Sequence, residues 1–405
     1  MNIKGNAIIA QGGGPTAVIN QSLAGAVLEM KKHKEITGIY GALHGVRGII
    51  EENFLDLTEA SQENLEAVAQ TPCAALLSTR DKPDQEYCSK IFQVFKKYNI
   101  RYFFYIGGND SSDTVRLVNE YAENENYEFK AFHIPKTIDN DLVINDHTPG
   151  FGSAARFVAQ AFMGVNLETK ALDGIYIGIV MGRHAGFLTA ASALGRRNQE
   201  DGPHLVYLPE RPFSIEAFLK DVSEIYNKLG RCVIAVSEGI IDEEGTPIAA
   251  KLKQNVSRDS HGNIELAGGE LGDMLTKAVK ENLNIGRVRA DTFGYLQRSF
   301  PGSISDTDQK EARLAGMAAV QFAMMEEYQS GSVIIDRIEE ADEYQIQYTL
   351  TELENIAAKT KHMSDEFINE QGNHITEAFI KYAEPLVGTD FKKTVSLDAP
   401  MVKKL

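Results

Sequence analysis

The feature that most constrains the fold is a recurring unit: a short apolar run, a turn rich in Gly or Asp, then a helical pattern. Strands buried on both faces read as continuous apolar runs. Their alternation with helices predicts parallel sheets flanked by helices, an α/β fold. In the first unit, residues 6–10 read as a buried strand and Gly12-Gly13-Gly14-Pro15 turns the chain. Ile19, Leu23, Ala26, Val27 and Met30 then recur at helical spacing. Pro15 suits a helix start, where its missing N–H is no loss. Glycines ahead of a helix let backbone amides approach an anion. The same turn also serves as a plain tight connection, and its spacing is neither a dinucleotide fingerprint nor a Walker A loop.

In the second unit, residues 101–106 (RYFFYI) form a strand leading into Gly107-Gly108-Asn109-Asp110-Ser111. A helix is expected from near Ser111 or Ser112, both good caps. Small polar residues then stand at the carboxyl end of a strand, where open α/β sheets bind ligands. A third strand, 130–134, leads into Pro135-Lys136-Thr137-Ile138-Asp139-Asn140-Asp141. Asp and Asn are common turn formers, yet two acids and a lysine crowd this one. A second α/β block starts near Gly150, with strands expected at 174–181, 205–208, 232–236 and 288–296. Helices are expected at 185–195, 214–229, 270–283 and 306–328, with Ser214 as a cap. Residues 243–269 are polar and interrupted, a loop or insertion.

At 405 residues the chain exceeds one ordinary domain, and 43% apolar residues suffice for more than one core. A net charge of −16 argues against a nucleic-acid or anionic-membrane surface, although a local cationic cluster can still hold a phosphate. Cys73, Cys88 and Cys232 are odd in number and scattered, which suggests neither a disulfide framework nor a zinc site. The most apolar stretch, 174–181, is too short to span a bilayer, and the N-terminus lacks a secretory pattern. A cytoplasmic location is expected.

GGGPTAVIN, GGNDSSDT, PKTIDNDL, MGRHAGFLTA, SEG and FGYLQRS occur in that order, each at the carboxyl end of an expected strand. Together they resemble the signatures of the phosphofructokinase family over roughly residues 5–330. The resemblance implies two Rossmann-like domains with the active site between them. A phosphoryl-donor domain would take 1–150 plus about 302–340, and a fructose 6-phosphate domain 151–301. Residues 341–405 would form a C-terminal, helical extension.

The implied chemistry is reversible, magnesium-dependent transfer of a phosphoryl group between pyrophosphate and the 1-hydroxyl of fructose 6-phosphate. Such transfer is mostly positioning and electrostatics. By resemblance, Gly13, Arg80, Gly108 and Ser111 cradle the pyrophosphate. Asp139 accepts the proton of the sugar hydroxyl, Asp141 positions it, and Thr137 bonds the moving phosphoryl. Met181, Gly182, Arg183, Glu238, Arg289, Tyr295 and Arg298 grip the sugar phosphate, Arg289 and Arg298 at its 6-phosphate.

Three positions depart from the common pattern. Tyr295 replaces a frequent His. Gly174 stands where many members have an Arg, with Lys170 a candidate replacement. Asn109 replaces the usual magnesium-associated Asp, leaving the metal to pyrophosphate oxygens, waters and Asp110.

The donor reading rests on Asp110 and Lys136. ATP-using relatives usually have Gly at both. Asp110 would meet an α-phosphate with bulk and like charge, and Lys136 would stabilise the transferring and leaving phosphates. ATP use, or a non-catalytic regulatory subunit of the same fold, stands as the alternative. The intact Lys136, Asp139, Arg183 and Arg298 speak against the latter. Members often complete the sugar site with a neighbouring subunit's arginines, so a homodimer or homotetramer is expected.

Overall fold

The computed structural model describes residues 3–252, 269–338, 343–395 and 397–403. Residues 253–268, most of the expected 243–269 loop, lie outside them. The described residues form eleven strands: β1 (Gly5–Gln11), β2 (Ile36–Ala42), β3 (Phe54–Asp56), β4 (Ile100–Gly107), β5 (Lys130–Pro135), β6 (Gly174–Val180), β7 (Leu205–Tyr207), β8 (Arg231–Ser237), β9 (Val288–Thr292), β10 (Ser330–Arg337) and β11 (Ile346–Thr351). They make two sheets among the described residues. The first has the order β11-β10-β5-β4-β1-β2-β3 and the second β7-β8-β6-β9. The second is wholly parallel, and the first is parallel except for its edge strands β3 and β11.

Burial on both faces explains the apolar runs. Along β1, Ala7 and Ile9 face one core while Ile8 and Ala10 face the other. Along β4, Tyr102, Phe104 and Ile106 alternate in the same way with Phe103 and Tyr105. Each Ile or Phe side chain so removed from water contributes roughly 1.5–3 kcal/mol. On one face of the first sheet, helices Ile19–Met30 and Asp306–Met324 pack closely. Glycines allow that approach: a Cβ at Gly316 would lie 2.1 Å from the Ser22 carbonyl oxygen.

The chain crosses between the sheets on helix Phe151–Leu172. Its first turn is held by a distant carboxylate. Asp308 accepts hydrogen bonds from the Gly150 and Ser153 amides and from the Ser153 hydroxyl.

Several local expectations are corrected. Helix Ile19–Met30 begins four residues after Pro15, which lies in an irregular lead-in. The second unit's helix is Asn109–Asn124, capped at Gly108 by backbone alone, so Ser111 and Ser112 lie inside its first turn. The expected helix at 185–195 is a short helix, Phe187–Ala191, continued by a 3-10 turn. Strand β9 stops at Thr292 and a 3-10 turn, Gly294–Gln297, follows. The region after 340 is not simply helical. It supplies β11, antiparallel to β10, before helix Glu377–Val387. Ser214 does cap its helix, accepting from the Ala217 amide.

Candidate active site

The site forms where the carboxyl ends of β1, β4 and β5 meet loops from the second sheet. In the first sheet, β2 lies on one side of β1 and β4 on the other. The crevice at such a reversal is where doubly wound sheets bind ligands.

The first-sheet side of the cleft is built on glycine. Gly13 sits at φ +74, a left-handed conformation that favours glycine. A Cβ on Gly107 would fall within van der Waals overlap of the Ser111 side chain, and one on Gly12 would crowd Ser111 and Tyr105. Ser111 is thus buried under the turns, supporting their backbone. Gly108 and Asn109 open helix Asn109–Asn124, whose N-terminal amides and dipole favour an anion. Asp110 stands on that first turn, half-exposed, with its carboxylate 2.9 Å from the Lys82 ammonium. The sequence reading missed Lys82.

Lys136 follows β5 and is only 3% exposed. Its ammonium donates to the Gly14 carbonyl oxygen at 2.7 Å. Burial, with Arg298 and Arg80 nearby, pushes it down to about 7, against the pull of Asp139 and Asp141. Beside it, burial raises the Asp139 carboxyl above the usual range, although Arg298, Arg183 and Lys136 favour its charged form. Burial and the Asp139 charge push Asp141 up to about 7. The Thr137 hydroxyl oxygen accepts from the Asp139 amide at 3.1 Å. Two buried oxygens here, Asp139 Oδ1 and Asn109 Oδ1, have no protein hydrogen-bond partner among the described residues. Leaving such an atom unsatisfied costs about 1–3 kcal/mol, so a ligand has something to gain there.

The second sheet brings Met181-Gly182-Arg183 from the end of β6 and Glu238 from the end of β8. The Glu238 amide donates to the Val180 carbonyl oxygen, and Ser237 Oγ donates to that of Gly182. Gly239 packs against the Arg183 backbone so tightly that a Cβ would overlap its carbonyl. Burial and Asp139 push Glu238 up to about 7. Arg298 closes the seam. Its guanidinium lies over the Tyr295 ring at 4.7 Å, and a Cβ on Gly14 would sit 3.0 Å from its Cζ. It therefore touches the first glycine turn as well as acting on Asp139 and Glu238.

Four of the sequence-derived residues sit exposed or paired elsewhere. Arg289 is exposed at the start of β9, paired in register with Tyr176. About 13 Å of strand, at roughly 3.3 Å per residue, separates it from the mouth at Phe293, so this chain does not bring it into its own cleft. Tyr295 is 65% exposed rather than enclosed. Lys170 does not stand in at the site, because its ammonium pairs with Asp201 at 2.5 Å. Arg80 is exposed, but close enough to act on Lys136 and Arg298.

A phosphotransferase of the two-lobed α/β type presents such a cleft, with a buried carboxylate and lysine on one side and an arginine and a glutamate on the other. The Phosphofructokinase family model matches residues 6–323, and the chain belongs to that family. It is 59% identical over 386 residues to the pyrophosphate–fructose 6-phosphate 1-phosphotransferase of Rhodospirillum rubrum, covering 95% of each chain. The enzyme of the same name from Halomonas elongata is 35% identical over 397 residues, covering 95% of this chain and 93% of its own. Among solved structures, the pyrophosphate-dependent phosphofructokinase from Marinobacter aquaeolei superposes with a TM-score of 0.84 at 31% identity. That match covers 97% of this chain and 94% of the other.

Proposed function

We propose that the protein transfers a phosphoryl group from pyrophosphate to the 1-hydroxyl of fructose 6-phosphate, reversibly. The observation that carries this is the buried Lys136–Asp139 pair at the foot of the glycine turns, with Asp110 on the first turn of helix Asn109–Asn124. Asp139, its affinity for protons raised by burial, takes the hydroxyl proton as the sugar oxygen attacks phosphorus. The bond to the departing phosphate breaks, and Lys136 stabilises charge on the transferred and leaving groups. Arg183 and Glu238 hold the sugar, and Arg298 bridges the sugar side and the donor turn. Gly13, Gly108 and the helix amides receive the outer phosphate, with Arg80 at the rim. Asp110 fills the space a nucleotide's α-phosphate would need.

Magnesium fits this site. The unpartnered Asn109 Oδ1 is a hard, neutral oxygen at the donor helix. Together with pyrophosphate oxygens it can hold the ion, which would neutralise donor charge that otherwise repels the nucleophile. Among the described residues no cluster of three His, Cys, Asp or Glu could hold a metal alone, so the substrate completes the shell.

The first sheet serves as donor lobe and the second as sugar lobe. A second copy of the chain supplies Arg289 to its neighbour's sugar 6-phosphate, in a homodimer or homotetramer. This reading is supported by Arg289's exposure far from its own cleft, and by exposed Tyr295, Leu296 and Phe300. No helix among the described residues is long and apolar enough to cross a membrane, and a reducing cytoplasm suits the three free cysteines.

The test is phosphorus NMR of the purified protein with magnesium, pyrophosphate and fructose 6-phosphate. Loss of pyrophosphate should match the gain of phosphate and fructose 1,6-bisphosphate, and the reverse mixture should regenerate pyrophosphate. Hydrolysis of pyrophosphate without sugar phosphorylation would refute the proposal.

A further inference from the structure

The loop bearing Asp139 is tied down by residues after 330, a region that carries no motif. Asn140, between the two aspartates, is fully buried at φ +58, a conformation that side chains other than glycine seldom adopt. Its side-chain amide donates to the Tyr382 hydroxyl at 2.7 Å, and that hydroxyl donates onward to the Asp146 carbonyl oxygen at 2.7 Å. Lys361 holds the same loop three times. Its backbone amide donates to the Asp141 carbonyl oxygen at 2.7 Å. Its ammonium donates to the carbonyl oxygens of Asn145 at 2.8 Å and Asp146 at 2.5 Å.

The next two residues reach the other lobe. His362 Nδ1 lies 2.9 Å from the carbonyl oxygen of His184, the neighbour of Arg183. The Met363 amide donates to Glu210 Oε1, which also accepts from the Gly186 amide in the loop after β6. Three consecutive residues thus tie the loop of the proton acceptor to the loop of the sugar-binding arginine.

We propose that segment 361–363 and Tyr382 form a clamp that sets the spacing of Asp139 from Arg183, with Lys361 and Tyr382 as its positioning residues. The proposal rests on the phosphotransfer reading for its kinetic consequence, but the clamp itself is a statement about loop order. Both side chains bond the loop at residues beyond Asp139, namely Asn140, Asn145 and Asp146. Loss of either leaves both substrates' binding groups in place and misaligns the oxygen, the phosphorus and the base. Misplacement by about 1 Å costs on the order of a hundredfold in rate. Lys361→Met should therefore lower kcat about ten- to hundredfold and change either KM less than about threefold, with Lys361→Arg restoring part of the turnover. Tyr382→Phe, which removes a single oxygen and keeps the ring, should lower kcat by a smaller factor. The double variant should lose less than the product of the two, because both act on one loop.

Amide hydrogen exchange supplies a readout independent of activity. Residues 139–146 should exchange faster in both variants than in the parent protein, while β1 and β4 stay protected. Faster exchange of this loop with unchanged turnover would show that its order does not matter to the rate, which overturns the clamp. Unchanged exchange in both variants overturns it equally. A uniform rise in exchange across all strands, with Lys361→Arg giving no recovery, would show Lys361 to be a general stabilising residue and also overturns it. Absence of any phosphotransfer by the parent would refute the proposed function, whereas the exchange result would still decide the clamp.

Discussion

Replacing Lys136 by Met removes an ammonium whose charge the site controls. Burial first, then Arg298 and Arg80, push it from 10.5 to about 7, while Asp139 and Asp141 pull the other way. That displacement corresponds to roughly 5 kcal/mol against the charged form. In the free protein the cleft therefore loses a cation as pH rises through about 7. Bound pyrophosphate brings several negative charges and restores the ammonium, so the loss moves to higher pH in the complex. The parent's kcat/KM for pyrophosphate should fall as pH rises through about 7, and its kcat should fall only at higher pH. On the acid side, both should fall as Asp139 is protonated, at a pH above that of an ordinary carboxylate. Lys136→Met should abolish the alkaline fall and lower kcat about ten- to hundredfold, from a charged hydrogen bond worth about 1.5–3 kcal/mol. Initial rates from about pH 6 to 9 decide the matter. An alkaline fall persisting unchanged in Lys136→Met would refute the assignment to this lysine.

The other predictions are shorter. Asp139→Asn, which preserves shape and removes the proton acceptor, should lower kcat by about 10²–10⁴ with little change in either KM; near-normal turnover would exclude Asp139 as base. Asp110→Gly should admit some ATP and free Lys82 to meet its phosphates, measurable as new ATP-dependent sugar phosphorylation; no gain with ATP would remove Asp110 as the discriminator. His147 is buried between Asp146 and Glu311, and although burial alone would lower its pKa, these partners raise it. Its stabilising contribution should be full below its ordinary value and decline as pH rises through the raised folded value. The stability gap between parent and His147→Gln in urea titrations should therefore narrow with rising pH; a constant gap would contradict the ion pairs.

Much of this was legible locally. The runs that became β1, β4 and β5 are apolar because both faces are covered, and the polar turns after them follow from where an open sheet leaves its backbone free. The failures share a cause in signals that a local reading lacks. Helix Asn109–Asn124 is capped by Gly108 with no side-chain bond, so the nearby serines offered a better but wrong start. Among the described residues strand β11 pairs only with β10, and helix Phe151–Leu172 is capped by Asp308, more than 150 residues away. The motif placed Arg289 among the sugar ligands because spacing says nothing about how far along its strand a residue sits from the cleft. Register alone shows it at the opposite end of β9 from Arg298. Lys361 and Tyr382 act on backbone carbonyls, which leaves no trace in residue spacing.

The central claim, pyrophosphate as the phosphoryl donor, is tested most directly by comparing kcat/KM for pyrophosphate and for ATP on one preparation at saturating fructose 6-phosphate and magnesium. A clash worth several kcal/mol between Asp110 and an α-phosphate predicts a preference for pyrophosphate of at least about a hundredfold. Comparable values for the two donors, or a preference for ATP, would contradict the account.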